Sequence, residues 1–437
     1  MKVFKGIKYI GSCALILFSV NVLAQTVAVE GELRPRIEYR NGYGKPLTDA
    51  NDPGIFGIQR SRFSLSFSTA VLKTQFTVQD ARTFGETDIT SEASSGAAAT
   101  SVFEAWAELL IMPGGSLKIG RQVLKYDDNR LFSGSAWSNT GSSHDVALFK
   151  YNVNDFQAHL GFAYNNNSAV SSETYYTAGM KYRYMGFLWM SKELLPALTL
   201  SAIGVDEGLQ DAASVTDYGK KVSMNHTYTF GGNLKYGSVS SPLSALATAY
   251  FQGGTSNTGS KMRGYMAAVK ADYKITTALA ANLGFDYFSG DDNSTDGKQS
   301  NFKKLYGSDH TFNGYMDYWN TPLTQGLADY YGGLTAKVNK NLSLDAAYHV
   351  FATAKDLTSG GAKIGKKLGS ELDLTLTYKM NNWTTLQGGW STYFTNDNTR
   401  IAKSLAADAK TGSPQWAYMM LTITPSYLKS VFSSDKK

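Results

Sequence analysis

From residue 25 onward the chain alternates. Val29, Gly31, Leu33, Ile37 and Tyr39 share one parity; Glu30, Glu32, Arg34, Arg36, Glu38 and Arg40 occupy the other. A β-strand sends successive side chains to opposite faces. This segment therefore predicts a strand with one apolar and one densely charged face. The pattern returns where Leu372, Leu374, Leu376 and Tyr378 alternate with Glu371, Asp373, Thr375, Thr377 and Lys379. It returns again at Leu342–Val350, Tyr265–Tyr273 and Leu279–Tyr287. Weaker examples near 61–68, 72–82, 102–111, 116–124, 143–151, 156–164, 175–190, 197–205, 226–236, 243–252, 328–338, 383–394 and 415–425 bring the expectation to about 18 strands.

The connections carry a second signal. Short turns are expected near 69–71, 112–115, 152–155, 191–196, 237–242, 274–278, 339–341 and 380–382. Longer polar connections are expected at 41–58, 84–101, 125–142, 165–174, 206–225, 253–261, 289–327, 352–367 and 395–414. Short and long alternate along the chain, as periplasmic turns and extracellular loops do in transmembrane β-barrels. Tyr151, Tyr236, Tyr273, Tyr378 and Trp383 border the short turns, and Tyr39, Tyr164, Phe251, Tyr287, Tyr348 and Phe394 lie near the long loops, where two interfacial girdles would place them. Only a closed barrel satisfies every backbone group in lipid. The expected fold is all-β, a transmembrane antiparallel barrel of residues 25–425 with its polar face around a lumen.

Composition agrees and removes alternatives. Only 18% of the 437 residues are charged, 13% are aromatic, and there is one Cys, which excludes a disulfide scaffold. No apolar run of about 18 residues follows the N-terminus, so helical spans are not expected. Lys2, Lys5 and Lys8 precede an apolar stretch from Ile10 to Val20 and a small-residue site at Val22-Leu23-Ala24. Residues 1–24 read as a secretory signal peptide. Without them the sole Cys, Cys13, is gone, and 39 basic residues face 36 acidic ones, a formal charge of +3 rather than +6. Residues 426–437 read as a short periplasmic tail.

Several segments resemble a known family. They are Gly31-Glu-Leu-Arg-Pro-Arg-Ile-Glu-Tyr-Arg40, Gln59-Arg-Ser-Arg62, Gln79-Asp-Ala-Arg82, Glu104-Ala-Trp-Ala-Glu108, and Gly120-Arg-Gln122 with Tyr126-Asp127 and Arg130-Leu131. Further on, Phe285-Asp-Tyr-Phe-Ser-Gly290 and the run from Leu305 to Tyr318 join them. Together they resemble the alginate-export family of outer-membrane barrels in its Bacteroidetes form. The resemblance implies an 18-stranded barrel and a conduit for an anionic polysaccharide or related solutes. Barrels of this kind often end on an aromatic residue read by the assembly machinery, whereas this chain runs on through Tyr427 and Phe432 to Lys437.

Eight of the 11 arginines lie in the first third: Arg34, Arg36, Arg40, Arg60, Arg62, Arg82, Arg121 and Arg130. On the first strand Arg34, Arg36 and Arg40 share the polar parity; on the second, Arg60 and Arg62 oppose Phe63, Leu65 and Phe67. Guanidinium forks bind carboxylates bidentately and stay charged, so a cationic ladder would suit uronates. Glu30, Glu32, Glu38, Glu104 and Glu108 share that face, so an ion-paired brace fits equally. The conduit candidates are Arg34, Arg36, Arg40, Arg60, Arg62, Arg82, Glu104 and Glu108. Arg121 shares the parity of Leu117 and Ile119, so either Gly120 marks a bulge that turns it inward or it sits near an interface. Loops 125–142 and 289–327 are candidate constrictions through Asp127, Asp128, Arg130, Lys303, Lys304 and His310.

No nucleophile motif is present, and no enzyme activity is expected. Neither a cofactor nor a metal is expected, since Asp291, Asp292 and Asp296 lack calcium-loop spacing. The expected place is the outer membrane of a Gram-negative bacterium. The expected partners are outer-membrane lipid and lipopolysaccharide, an anionic oligo- or polysaccharide and the barrel-assembly machinery, with no nucleic acid and a monomeric state. A general diffusion porin and a barrel-anchored surface-binding protein are the alternatives.

Overall fold

The structure, a computed structural model, describes residues 25–85, 99–165, 182–211, 223–238, 240–293, 295–308, 310–406 and 411–432. The expected signal peptide (1–24) and Asp309 lie outside the described residues. In chain order the strands are β1 (Gln25–Asn41), β2 (Gly54–Ser68), β3 (Leu72–Thr83), β4 (Ala99–Met112), β5 (Gly115–Gln122), β6 (His144–Val153) and β7 (Phe156–Tyr164). Next come β8 (Tyr184–Leu195), β9 (Leu198–Gln210), β10 (Met224–Tyr236), β11 (Leu243–Gly254), β12 (Lys261–Met262), β13 (Tyr265–Lys274) and β14 (Leu279–Phe288). The last are β15 (Lys298–Gln299), β16 (Leu327–Lys337), β17 (Leu342–Ser359), β18 (Ala362–Lys379), β19 (Thr384–Phe394), β20 (Gln415–Ile423) and β21 (Ser426–Phe432), with one short helix, α1 (Asp397–Ala402), before β20.

β1 pairs antiparallel with β2 on one side and with β20 and β21 on the other, which closes the sheet. β12 and β15 form a separate parallel pair off the wall, and β20 and β21 share one place beside β1. The wall therefore has 18 antiparallel staves, as the alternation predicts. The parity is the expected one. Phe63, Leu65, Phe162, Leu188, Leu283, Leu334 and Leu374 point outward and are exposed, Leu283 to 72%. An apolar band of this extent belongs in a bilayer. Tyr236, Tyr273, Tyr378 and Trp383 are exposed at the short-turn end, and Tyr164, Phe251, Tyr348 and Phe394 at the other. No helix among the described residues is long and apolar enough to cross a membrane, so the crossing elements are strands.

The structure differs from the sequence reading at two places in the wall. The connection expected at 352–367 is strand: β17 and β18 continue to a tight turn at Gly360 (φ 57°) and Gly361 (φ 82°), where two positive φ angles require glycine. Beyond the bilayer a strand no longer needs an apolar face, so Lys355, Lys363, Lys366 and Lys367 break the alternation while pairing resumes, through register shifts after Phe351, Ala352 and Leu357, as far as Ser359 and Ala362. Residues 426–432 are not a free tail either, and 433–437 lie outside the described residues. Pro425 has no N–H to donate and interrupts the stave, but its carbonyl accepts from Gly31 N at 2.9 Å. The chain resumes as β21, paired from Glu30 back to Gln25 with a register shift between Val29 and Glu30.

Removing residues 426–437 should leave that edge of β1 unpaired. Each lost backbone hydrogen bond contributes about 0.5–1.5 kcal/mol. The truncated barrel is expected to convert to its unfolded gel mobility at a lower temperature than the full chain. An unchanged conversion temperature would mean that the segment is a passive tail.

Candidate functional site

The arginines of β1 and β2 lie on the inner face because the charged parity of these strands points there. Arg34 stands opposite Arg60 in the ladder, and Glu32 opposite Arg62. Arg34, Arg36 and Arg60 are buried at 6%, 5% and 3% exposure. What buries them is the loop between β5 and β6, which folds into the barrel. Arg34 donates through Nη1 to the Ala136 carbonyl (2.5 Å) and through Nη2 to those of Trp137 (3.2 Å) and Ser138 (2.8 Å). Arg36 Nη1 donates to the Trp137 carbonyl at 2.9 Å, and its guanidinium lies 4.0 Å from the Trp137 ring centroid. Arg60 Nη1 reaches the carbonyls of Ala136 (3.3 Å) and Ser138 (3.0 Å) while Nε pairs with Glu32 at 2.5 Å. Arg62 donates to Gln79 Oε1 and to the Thr140 carbonyl at 3.2 Å. Both sequence readings thus meet a third arrangement: some guanidiniums are ion-paired, and most also hold loop carbonyls.

The wall of β18, separated from β1 only by β19 and β20, does the converse. Met316 N donates to Glu371 Oε1 at 2.7 Å, and Tyr315 N to Asp373 Oδ2 at 3.4 Å, so carboxylates of β18 hold amides of the loop between β14 and β16. The side chain of Gln252 on β11 clamps Lys303 by both its N–H and its C=O, each at 2.8 Å. The two loops meet in the lumen through a parallel bridge between Phe132 and Tyr306, with Ser133 N donating to the Tyr306 carbonyl and Tyr306 N to that of Leu131. Around this seam lies an apolar cluster that includes Phe132, Met316, Trp319 and Trp416, each fully buried. These wall residues carried no role in the sequence reading. Their inward parity was legible, but the loop amides they hold were not.

Both candidate constriction loops therefore enter the barrel, and their named residues do different things. Arg130 pairs with Asp128 and, through two nitrogens, with Asp286 of β14, each contact at 2.8 Å. Asp127, at φ 52°, accepts from Trp189 Nε1 at 3.0 Å. Lys304 Nζ donates to the Asn320 carbonyl at 2.6 Å within its own loop. His310 joins the loops: its ring stacks on Trp137 at 4.1 Å and on Tyr315 at 5.1 Å, and Nδ1 lies 3.2 Å from Asp317. Lys403 after α1 donates to the Tyr318 carbonyl, and burial against Trp319 pulls its ammonium down to about 8.

Among the conduit candidates, Arg40 is held by Glu38 at 2.8 Å. Glu104 accepts from Trp106 Nε1 at 3.1 Å, and Glu108 pairs with Lys150 at 2.5 Å. Arg82 is a correction. It stands opposite Gln59, on the outward parity of Phe76 and Val78, and pairs there with Asp80 at 2.6 Å. Arg121 is not turned inward. It keeps the parity of Ile119 and forms two hydrogen bonds with Asp145, of 2.9 and 2.7 Å, near the long-loop end of β5 and β6.

Two inner cavities flank the loops. One, of 380 Å³, is lined by Glu30, Glu32, Arg62, Ser64, Thr77 and Glu104. The other, of 420 Å³, lies against β8–β13 beneath Asp127. Among the described residues no cluster of three or more His, Cys or acidic side chains is placed to hold a metal. Asp291 instead accepts backbone amides of Asn293 and Ser300, and Asp292 pairs with Lys355 at 3.5 Å.

A family model described as alginate export matches residues 27–412. No curated relative matches the sequence. Solved structures share the architecture. OccK9 (OpdG) of Pseudomonas aeruginosa is 11% identical, with a TM-score of 0.64 over 92% of this chain and 98% of that one. OccAB1 of Acinetobacter baumannii is 11% identical, with a TM-score of 0.61 over 92% and 97%. OpdK of Pseudomonas aeruginosa, solved with vanillate, is 13% identical, with a TM-score of 0.57 over 92% and 99%. At such identities the likeness is one of fold.

Changing Arg34, Arg36 and Arg60 together to Ala should free the loop at Ala136–Ser138, since each buried carbonyl left unsatisfied costs about 1–3 kcal/mol. The expected result in planar bilayers is a larger, noisier single-channel conductance and faster proteolysis within residues 123–143. Unchanged conductance with altered ion selectivity alone would mean that these arginines do not hold the loop.

Proposed function

This chain belongs to the alginate export family and is an outer-membrane transport channel rather than an enzyme; we propose that the solutes it passes are carboxylate-bearing, acidic oligo- or polysaccharides such as alginate, guided by the arginines of β1 and β2. One observation carries this reading. Arg34, Arg36, Arg60 and Arg62 stand on adjoining strands of one inner wall, and Arg62, stacked on Phe103 at 3.5 Å, borders a cavity. Among the described residues no ion pair involves Arg62; its Nε and Nη2 donate to Gln79 and Thr140, and its Nη1 is the donor it offers to an incoming anion. The field of this wall would raise the local concentration of polyanions. Vanillate, found with OpdK, is also a carboxylate, and its presence in a barrel of this fold is consistent with such chemistry.

A second reading has its own observation. Asp286, Asp329, Glu371 and Asp373 are buried on the wall of β14–β18, so the lumen carries cations on one sector of its wall and carboxylates on another. A transverse field of this kind suits a general diffusion porin with weak selectivity. In either case the proposed partners are bilayer lipid and lipopolysaccharide outside the barrel and the assembly machinery during insertion, and the proposed state is a monomer.

The two readings part in planar bilayers. The acidic-solute channel is expected to be anion-selective, to be blocked by oligouronates and not by neutral oligosaccharides of equal length, and to lose about tenfold in that block when Arg62 becomes Gln, one charge-assisted contact amounting to about 1.4 kcal/mol. Cation selectivity, or equal block by neutral and acidic chains, would overturn it in favour of the general porin.

A further inference from the structure

The inner face of β8–β11, across the lumen from the arginines, carries two unlike rows. In the first, Ser191 stands opposite Ser201, Ser201 opposite Asn233, and Asn233 opposite Thr248. Every member offers a hydroxyl or an amide. The next inward row, one step toward the short turns, places Lys235 between Thr199 and Leu246. Adjacent strands lie about 4.8 Å apart and successive inward positions about 7 Å apart. The two rows thus frame an area the size of one pyranose ring, with hydroxyl-binding groups along one side and an ammonium on the other.

This frame has a roof and a volume. Asp127, carried in from the loop on its left-handed backbone, stands above the first row and is oriented by Trp189 Nε1 at 3.0 Å. The cavity, half-open to the lumen, is 420 Å³, which matches a small-molecule site. Its charges sort themselves. Lys270 is held by Asp272 at 3.0 Å and Asp128 by Arg130 at 2.8 Å, whereas none of the ion pairs among the described residues involves Lys235, which is exposed. The pocket thus presents one uncommitted cation at its short-turn end and one carboxylate at its loop end.

We infer that this pocket is a binding site for a single sugar acid, with the solute carboxylate on Lys235 and its ring hydroxyls on Ser191, Ser201 and Asp127. Asp127 sets the direction. A carboxylate is repelled at the loop end and attracted at the other, while hydroxyls donate to Asp127. The site rests on the acidic-solute reading above and adds to it a place on the wall that has no arginine. It lies at the short-turn end, which a solute arriving from the periplasm meets before the arginines.

The test is calorimetric titration of the full chain in detergent with glucuronate and, separately, glucose. Glucuronate is expected to bind at least tenfold more tightly than glucose. Lys235→Met and Lys235→Gln should each weaken glucuronate about tenfold and leave glucose unchanged, and Asp127→Asn should weaken both sugars. Each variant is taken forward only with the heat-modifiable gel shift of the intact barrel, and Lys235 is exposed, so both its variants should keep that shift. Wild-type glucuronate affinity in either Lys235 variant would overturn the site. Arg62→Gln keeps the two readings separate, because it should diminish oligouronate block and leave glucuronate binding intact. A wild-type channel that binds glucuronate through Lys235 but is not anion-selective would overturn the transport reading alone.

Discussion

Two loops inside a barrel carry polar backbone that the lumen wall must satisfy, and that requirement organises this molecule. A buried carbonyl or amide without a partner is costly. The wall of β1 and β2 answers with guanidiniums, which only donate, and so holds the carbonyls of Ala136, Trp137 and Ser138. The wall of β18 answers with carboxylates, which accept, and so holds the amides of Tyr315 and Met316. The two stretches of wall thus differ in charge and, with it, in hydrogen-bonding role. That difference fixes which loop docks on which wall.

The barrel has two apolar surfaces with different tasks. The outer one, marked by residues such as Leu283 and Phe162, faces lipid and sets the parity of every strand. The inner one is a packed cluster around Phe132, Trp319 and Trp416, built where loop side chains meet wall side chains. Burying such a side chain contributes about 1.5–3 kcal/mol. The loops are thus a small core, anchored at its edges by charged hydrogen bonds and joined at its centre by the Phe132–Tyr306 bridge.

One consequence concerns transport. The guanidiniums best suited to a carboxylate are also those that position the loop. Selectivity and pore shape share the same groups on β1 and β2, with Arg62 at the margin between them. The outward pairs Arg82–Asp80 and Arg121–Asp145 belong to a different environment, where each charge is compensated by its neighbour on the outer face.

By itself the sequence determined the barrel, its 18 staves and the inward parity of Arg34, Arg36, Arg60 and Arg62, because a period of two and the alternation of loop lengths are local properties of a strand that must face lipid. Parity also contained the answer for Arg82, an even-numbered neighbour of the outward Phe76 and Val78, which the resemblance of its motif obscured. The long hairpin of β17 and β18 and the resumed strand after Pro425 were hidden because pairing persists where the apolar pattern stops. Only the tertiary structure decided what the arginines hold. Arg36 and Trp137 lie 101 residues apart, and a donor on a strand does not specify which distant carbonyl will reach it. That choice is made when the loops fold inward and every polar group must find a partner at once.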